Sequence, residues 1–299
     1  MGFKAKKAQS IIFIALIYIV AAVVAFVVFA ALAQLGLFWR LFAADAAATL
    51  FVYIAGLVLK NASVYDPYWS VAPPVILCAM MAYYGNFSFG ALMLLLVVCY
   101  WAVRLTANWA LCFTNLNHQD WRYDMLRKKT GAFYPVVSFV GIHFVPTIVV
   151  FLAMMPAVAY VRDGGGVNWG TAVGWAICIL AATLQWVADS QMAQFRKTSA
   201  RGELIRVGLW KYSRHPNYLG EILMWWGVYV IMVSVLPAQW PLVVGALANT
   251  LLFLVVSIPM ADARYRQSKT GYAQYKRETR MLLPLKKQVR RQEEASQRS

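Results

Sequence analysis

Five side chains suited to binding or proton chemistry crowd between Arg214 and Glu221: Arg214, His215, Asn217, Tyr218 and Glu221. They belong to the stretch GLWKYSRHPNYLGEILMWWG, from Gly208 to Gly227, where a basic loop runs straight into an apolar helix. Charge placed at a membrane segment is costly, so such a cluster is a functional site by default. Arginine suits phosphate because its guanidinium forms paired hydrogen bonds. Asn217 and Glu221 stand four residues apart on one helix face and suit an amide or a ribose, which offer donors and acceptors together. Asp66, Asp189 and Asp262 lie at the ends of other apolar stretches, and Arg104 lies within one. Together these groups outline a pocket for a large charged ligand.

Ordinary roles account for many of the remaining polar residues. Lys and Arg flanking apolar spans set topology and snorkel to the headgroups. Trp225, Trp226 and Trp240 have the positions of interfacial belt residues, and Asp189 has a ready partner in Arg196, about two turns on. His143 stands alone in an apolar span near Pro146, and His118 reads as a loop residue. Cys78, Cys99, Cys112 and Cys178 show no metal-type or paired spacing and read as reduced packing residues, so no metal is expected.

The elements that must position the cluster are membrane spans. Of 299 residues, 61% are hydrophobic and only 13% charged, roughly half the charged fraction of soluble domains. The net charge of +16 lies in loops between apolar spans, where it meets lipid headgroups or an anionic cofactor rather than nucleic acid. Eight stretches approach the ~20 apolar residues a bilayer requires: 11–33, 44–60, 70–85, 88–112, 134–161, 168–192, 218–236 and 239–261. The third is short and holds Pro73 and Pro74, which leaves seven as the alternative count. With the N-terminus cytoplasmic, all 28 basic residues except Arg40, Arg104 and Arg162 fall in cytoplasmic segments. That asymmetry predicts an all-α polytopic bundle with an even number of spans and both termini cytoplasmic. The apolar run after Lys4, Lys6 and Lys7 is too long for a cleaved signal and is expected to be retained. The opposite loops are too small for a domain, so chemistry must lie between the helices or on the cytoplasmic face. Residues 286–299 read as a basic polar tail.

The run LWKYSRHPNYLGEILMWWG resembles the C-terminal signature of the steroid 5α-reductase superfamily, closest to its bacterial branch of uncharacterised proteins. VYDPYWSVAP, WAVRL followed by DWRY, VADSQMAQFRK and YAQYKRETRMLLP resemble further elements of that branch, in the same order. The matches divide the chain into N-terminal spans without signature (1–60), a reductase-like membrane domain (61–285) and the tail. The resemblance implies a monomeric bundle that binds NADPH and reduces an activated carbon–carbon double bond in a lipid, such as a 3-oxo-Δ4 steroid. A bacterial inner membrane is favoured over the endoplasmic reticulum. It implies that Asn217 and Glu221 bind the nicotinamide end, and that Asp189, Arg196 and Arg122 hold ribose and phosphates. Arg214, His215, Tyr218, Arg264 and Tyr275 would complete the cradle. No Gly-x-Gly-x-x-Gly unit follows a strand, which excludes a Rossmann site.

Hydride addition to an enone builds charge on the carbonyl oxygen, which a donor must stabilise. By resemblance Asp66 falls near the glutamate that serves this in the reductases, with Tyr65 or Tyr68 supplying the phenol. The chain departs from the pattern where Trp101, beside Tyr100, stands in place of a tyrosine; tryptophan donates a hydrogen bond but no proton. An RHPxYxG element also occurs in S-adenosylmethionine-dependent isoprenylcysteine and phospholipid methyltransferases, but their paired glutamates near the last helix are absent at Ala261-Asp262-Ala263-Arg264. A non-catalytic sterol-binding module is the third reading. A transporter is not supported, since no inverted repeat is visible.

Overall fold

The computed structural model describes residues 6–200 and 202–283. The 286–299 tail, Lys4 and Arg201 lie outside the described residues. The described chain is helical, and its one β-type pairing is an isolated bridge between Ser213 and Arg280. Seven helical runs are long and apolar enough to cross a membrane: Lys7–Ala31, Leu37–Val58, Phe89–Cys112, Trp121–Arg162, Trp169–Thr198, Pro216–Val235 and Pro237–Ser268. The helices are α1 (Lys7–Ala31), α2 (Leu37–Val58), α3 (Tyr68–Tyr84), α4 (Phe89–Cys112), α5 (Trp121–Thr130), α6 (Tyr134–Val137), α7 (Val145–Arg162), α8 (Trp169–Thr198), α9 (Pro216–Val235), α10 (Val243–Leu251), α11 (Ile258–Ser268) and α12 (Tyr272–Glu278). The architecture is an all-α polytopic bundle.

The uncertain third span is α3. Its 17 residues rise about 25 Å, short of a full crossing. It starts beside Asp66, which Tyr123 of α5 bonds, and ends just before Asn86, whose Nδ2 donates to the Val161 carbonyl at 2.6 Å. Those partners sit at opposite ends of the Trp121–Arg162 run, so α3 runs along the bundle beside the seven, and the count that length and hydropathy support is the alternative one. Pro73 and Pro74 sit inside it, leaving the Trp69 and Ser70 carbonyls without their usual helical donors.

Both ends of the described chain lie at the basic end of the bundle. Lys7 Nζ donates to the Leu111 carbonyl at the close of α4, and Arg214 N to the Arg280 carbonyl. The opposite end carries the expected exceptions: Arg40, bonded to the Phe29 carbonyl at 3.0 Å, and Arg162, paired with Asp163.

Two runs contain π-helical turns, Ser138–Phe144 and Leu252–Ser257, closely followed by Pro146 and Pro259. Local π adjustment lets a membrane helix re-satisfy the backbone groups that a proline frees. The most extensive helix pair is α8 with α9. A methyl group added to Gly227 would fall 2.6 Å from Cys178 Sγ and 3.0 Å from the Gly174 carbonyl. One added to Gly220 would fall 2.6 Å from the Ala181 carbonyl. Small residues let the two backbones approach where lipid offers no hydrophobic drive. That approach brings Gln185 of α8 against Glu221 of α9.

Candidate functional site

The Glu221 carboxylate is buried one turn into α9 and accepts three hydrogen bonds. Trp101 Nε1 at 2.8 Å and Gln185 Nε2 at 2.7 Å reach Oε2, while Trp225 Nε1 reaches Oε1 at 3.0 Å. A carboxylate offers about four acceptor positions, so Oε1 keeps one open. The chain of bonds continues outward. Arg104 donates to the Gln185 amide oxygen and, at 2.9 Å, to Asp189; Asn217 Nδ2 donates to the other Asp189 oxygen at 3.3 Å. Its polarity is fixed from the arginine. Guanidinium only donates, so Gln185 must turn its oxygen to Arg104 and its nitrogen to Glu221. Asp189 therefore takes Arg104 as its bonded partner rather than Arg196. Arg104 Nε is buried and has no acceptor.

Tyr218 stacks on His215 at 5.2 Å between ring centroids and touches Phe253 of the second π turn. Arg264 lies 3.9 Å over the Trp121 ring, and Arg122 pairs with Asp120 at 2.8 Å. Arg196, at the end of α8, brings positive charge near Asp189, and Arg122 brings it near Tyr218.

Arg214, His215 and Tyr275 join a different group, centred on Asp262. That carboxylate accepts from His215 Nε2 at 2.9 Å, Lys276 Nζ at 3.0 Å, Arg214 Nη2 at 3.3 Å and the Tyr272 hydroxyl. Arg214 also donates to the Thr279 carbonyl, and Tyr275 to the Trp210 carbonyl. These bonds dock α12 against the loop before α9. Burial holds the His215 imidazole below its ordinary pKa, against the opposing pull of Asp262. Its neutral ring can donate Nε2–H to the carboxylate and stack on Tyr218.

Asp66 and Tyr68, adjacent in sequence, face different surroundings. Asp66 precedes α3, where burial raises its carboxyl to about 6 despite the opposing influence of Arg122. Tyr68 lines an apolar cavity of about 420 Å³ between α1, α2 and α3, and its hydroxyl donates to Asp45 at 3.1 Å. Tyr65 instead meets Thr147, which also bonds Thr49. Trp69 packs against the cores on both sides of α3, its ring 6.2 Å from that of Trp101. It thereby links the cavity wall to the Glu221 network.

Sequence reasoning passed over Asp45, Gln185 and the role of Trp225. Asp45 is an acidic residue in mid-span, a placement that makes it a functional-site candidate by default. Trp225 stands four residues after Glu221, the spacing of helix neighbours, yet a belt position hides a buried donor. Gln185 carries no charge to draw attention. Trp226 bonds Thr250 at 3.0 Å, and Trp240 is exposed in the manner of a belt residue.

Residues 52–279 match the family model described as "Protein of unknown function (DUF1295)". No curated protein and no solved structure matches the chain.

Proposed function

The chain belongs to the DUF1295 family of proteins of unknown function, and we propose that it is an integral-membrane, NADPH-dependent reductase of an activated carbon–carbon double bond in a steroid or other lipid. The observation that carries this reading is the polar chain from Glu221 through Gln185, Arg104 and Asp189 to Asn217. It joins a carboxylate deep in the bundle to the arginine-rich end and contains a buried donor, Arg104 Nε, without an acceptor. An unfilled buried donor is costly unless something completes it.

The residues fit the cofactor. A nicotinamide carboxamide offers both donors and an acceptor; the open position on Glu221 Oε1 and the second Asn217 N–H complement them. Arg196, Arg264 and Arg122 suit the phosphates. Bound nicotinamide supplies a hydride. Arg214, His215 and Tyr275 serve by docking α12 beside this site, not by touching the ligand.

The apolar cavity suits the lipid, with the Tyr68–Asp45 pair as its polar feature. Tyr68 donates to a carbonyl oxygen as negative charge builds there. That requires Asp45 to carry the proton within the pair, because an ionised carboxylate would keep the tyrosine hydrogen. Asp66, bonded by Tyr123, sits just before α3 and ties its start to α5.

Thermal unfolding of the purified chain in detergent, with NADPH or S-adenosylmethionine, tests the reading. Binding of one ligand at a hundred times its Kd adds about 2.7 kcal/mol. NADPH should raise the midpoint, and Asn217→Ala should remove most of that rise. Stabilisation by S-adenosylmethionine alone would replace the reductase with a methyltransferase.

A further inference from the structure

A second cavity of about 410 Å³ lies at the basic end between α2, α5, α6 and the first π turn. It shares no lining residue with the Tyr68 cavity and none with the Glu221 network. Two polar atoms in its wall are buried and have no hydrogen-bond partner: His143 Nε2, on a residue 1% exposed, and the hydroxyl of Tyr134, on a residue 6% exposed. Lys60 and Arg127 also line it, and no carboxylate does.

The chemistry of each group is fixed by its surroundings. His143 Nδ1 lies 2.9 Å from the Ser138 carbonyl, five residues back in the π turn. A carbonyl only accepts, so Nδ1 carries the hydrogen. In the neutral ring Nε2 is then a bare acceptor that calls for a donor. The Tyr134 hydroxyl can donate or accept, and the Arg127 guanidinium lies 4.8 Å over the Tyr134 ring. Lys60 has φ +54°, the left-handed region, and is the one non-glycine residue there among those described. That conformation ends α2, with Lys60 N donating to the Leu57 carbonyl at 3.1 Å and Asn61 N to the Gly56 carbonyl at 2.9 Å. The flanking residues Val58, Phe133 and Val136 expose apolar side chains.

We propose that this cavity binds the phosphoglycerol headgroup of an anionic membrane lipid. Lys60 and Arg127 hold the phosphate, and a glycerol hydroxyl donates to His143 Nε2 while Tyr134 completes the polar shell. The acyl chains lie along Val58, Phe133 and Val136. A phosphate held between the two cations places no glycerol hydroxyl at His143 Nε2; a zwitterionic choline headgroup offers no hydroxyl.

The test is thermal unfolding of the detergent-purified chain titrated with phosphatidylglycerol, phosphatidate, phosphatidylcholine or inorganic phosphate. Phosphatidylglycerol should give the largest upward shift and phosphatidate a smaller one. Arg127→Gln should weaken the phosphatidylglycerol response about tenfold in concentration, the scale of one charge-assisted hydrogen bond. Lys60→Gly should do the same without harming the fold, since glycine accepts the left-handed backbone. His143→Phe should abolish the preference for phosphatidylglycerol over phosphatidate. The proposal is overturned if phosphatidylcholine matches phosphatidylglycerol, if inorganic phosphate gives the full shift, or if the preference survives in His143→Phe.

Discussion

Replacing Glu221 with glutamine isolates the hydrogen-bond logic of the inner network. Gln185 cannot reverse its amide, because that would turn its nitrogen toward Arg104, which only donates. Trp101 and Trp225 only donate as well. The Oε2 side receives two donors and the Oε1 side one. The new amide therefore keeps its oxygen at the Oε2 position and turns its nitrogen toward Trp225 Nε1. One buried donor loses its acceptor, at a cost of about 1–3 kcal/mol. Glu221→Ala would strand all three donors, on the order of 3–9 kcal/mol by the same rule, comparable to the ~5–15 kcal/mol stability of a whole domain. Thermal unfolding followed by tryptophan fluorescence should show Glu221→Gln folded with a midpoint lower by a few degrees. Trp225→Phe removes the donor that the new amide opposes, so in that background Glu221→Gln should cost much less. An equal cost in both backgrounds would refute the assigned polarity.

Two further outcomes follow from groups outside that network. Asp66 has a carboxyl raised to about 6 from an ordinary 3.8, so the folded chain binds the proton more tightly than the unfolded one. Its contribution to stability is full below about 4 and is lost as the pH rises through about 6; Asp66→Asn should lack that fall relative to the parent, and an identical pH profile would contradict the assignment. Asp262→Ala removes the acceptor of His215, Arg214, Tyr272 and Lys276. It should free α12 and speed tryptic cleavage at Lys276 or Arg277 more than tenfold through local opening; unchanged cleavage would show that other contacts hold the segment.

The bundle was legible because hydropathy and charge are properties of stretches. The expectation of an even count rested on where Lys and Arg fall; seven described runs are long and apolar enough to cross, and α3, with Pro73 and Pro74 inside its 17 residues, is the one that falls short. The site was legible in part. Asn217 and Glu221 declare themselves by helix spacing, whereas the Arg104–Asp189 pair joins residues far apart in the chain, and local reading offered Arg196 instead. Arg214 and His215 look like ligand residues, but the segment that uses them, α12, docks from a distance that no local pattern encodes. Asp66 and Tyr68 are near neighbours in sequence, yet Asp66 precedes the first turn of α3 and Tyr68 begins it. The resulting turn sends one to Tyr123 and the other to Asp45.

Equilibrium binding of NADPH and of S-adenosylmethionine to one detergent preparation bears most directly on the proposed cofactor site. NADPH should bind saturably, at least tenfold more weakly to Asn217→Ala and Glu221→Gln, with no saturable binding of S-adenosylmethionine. Saturable S-adenosylmethionine with no NADPH, or NADPH binding indifferent to both substitutions, would contradict it.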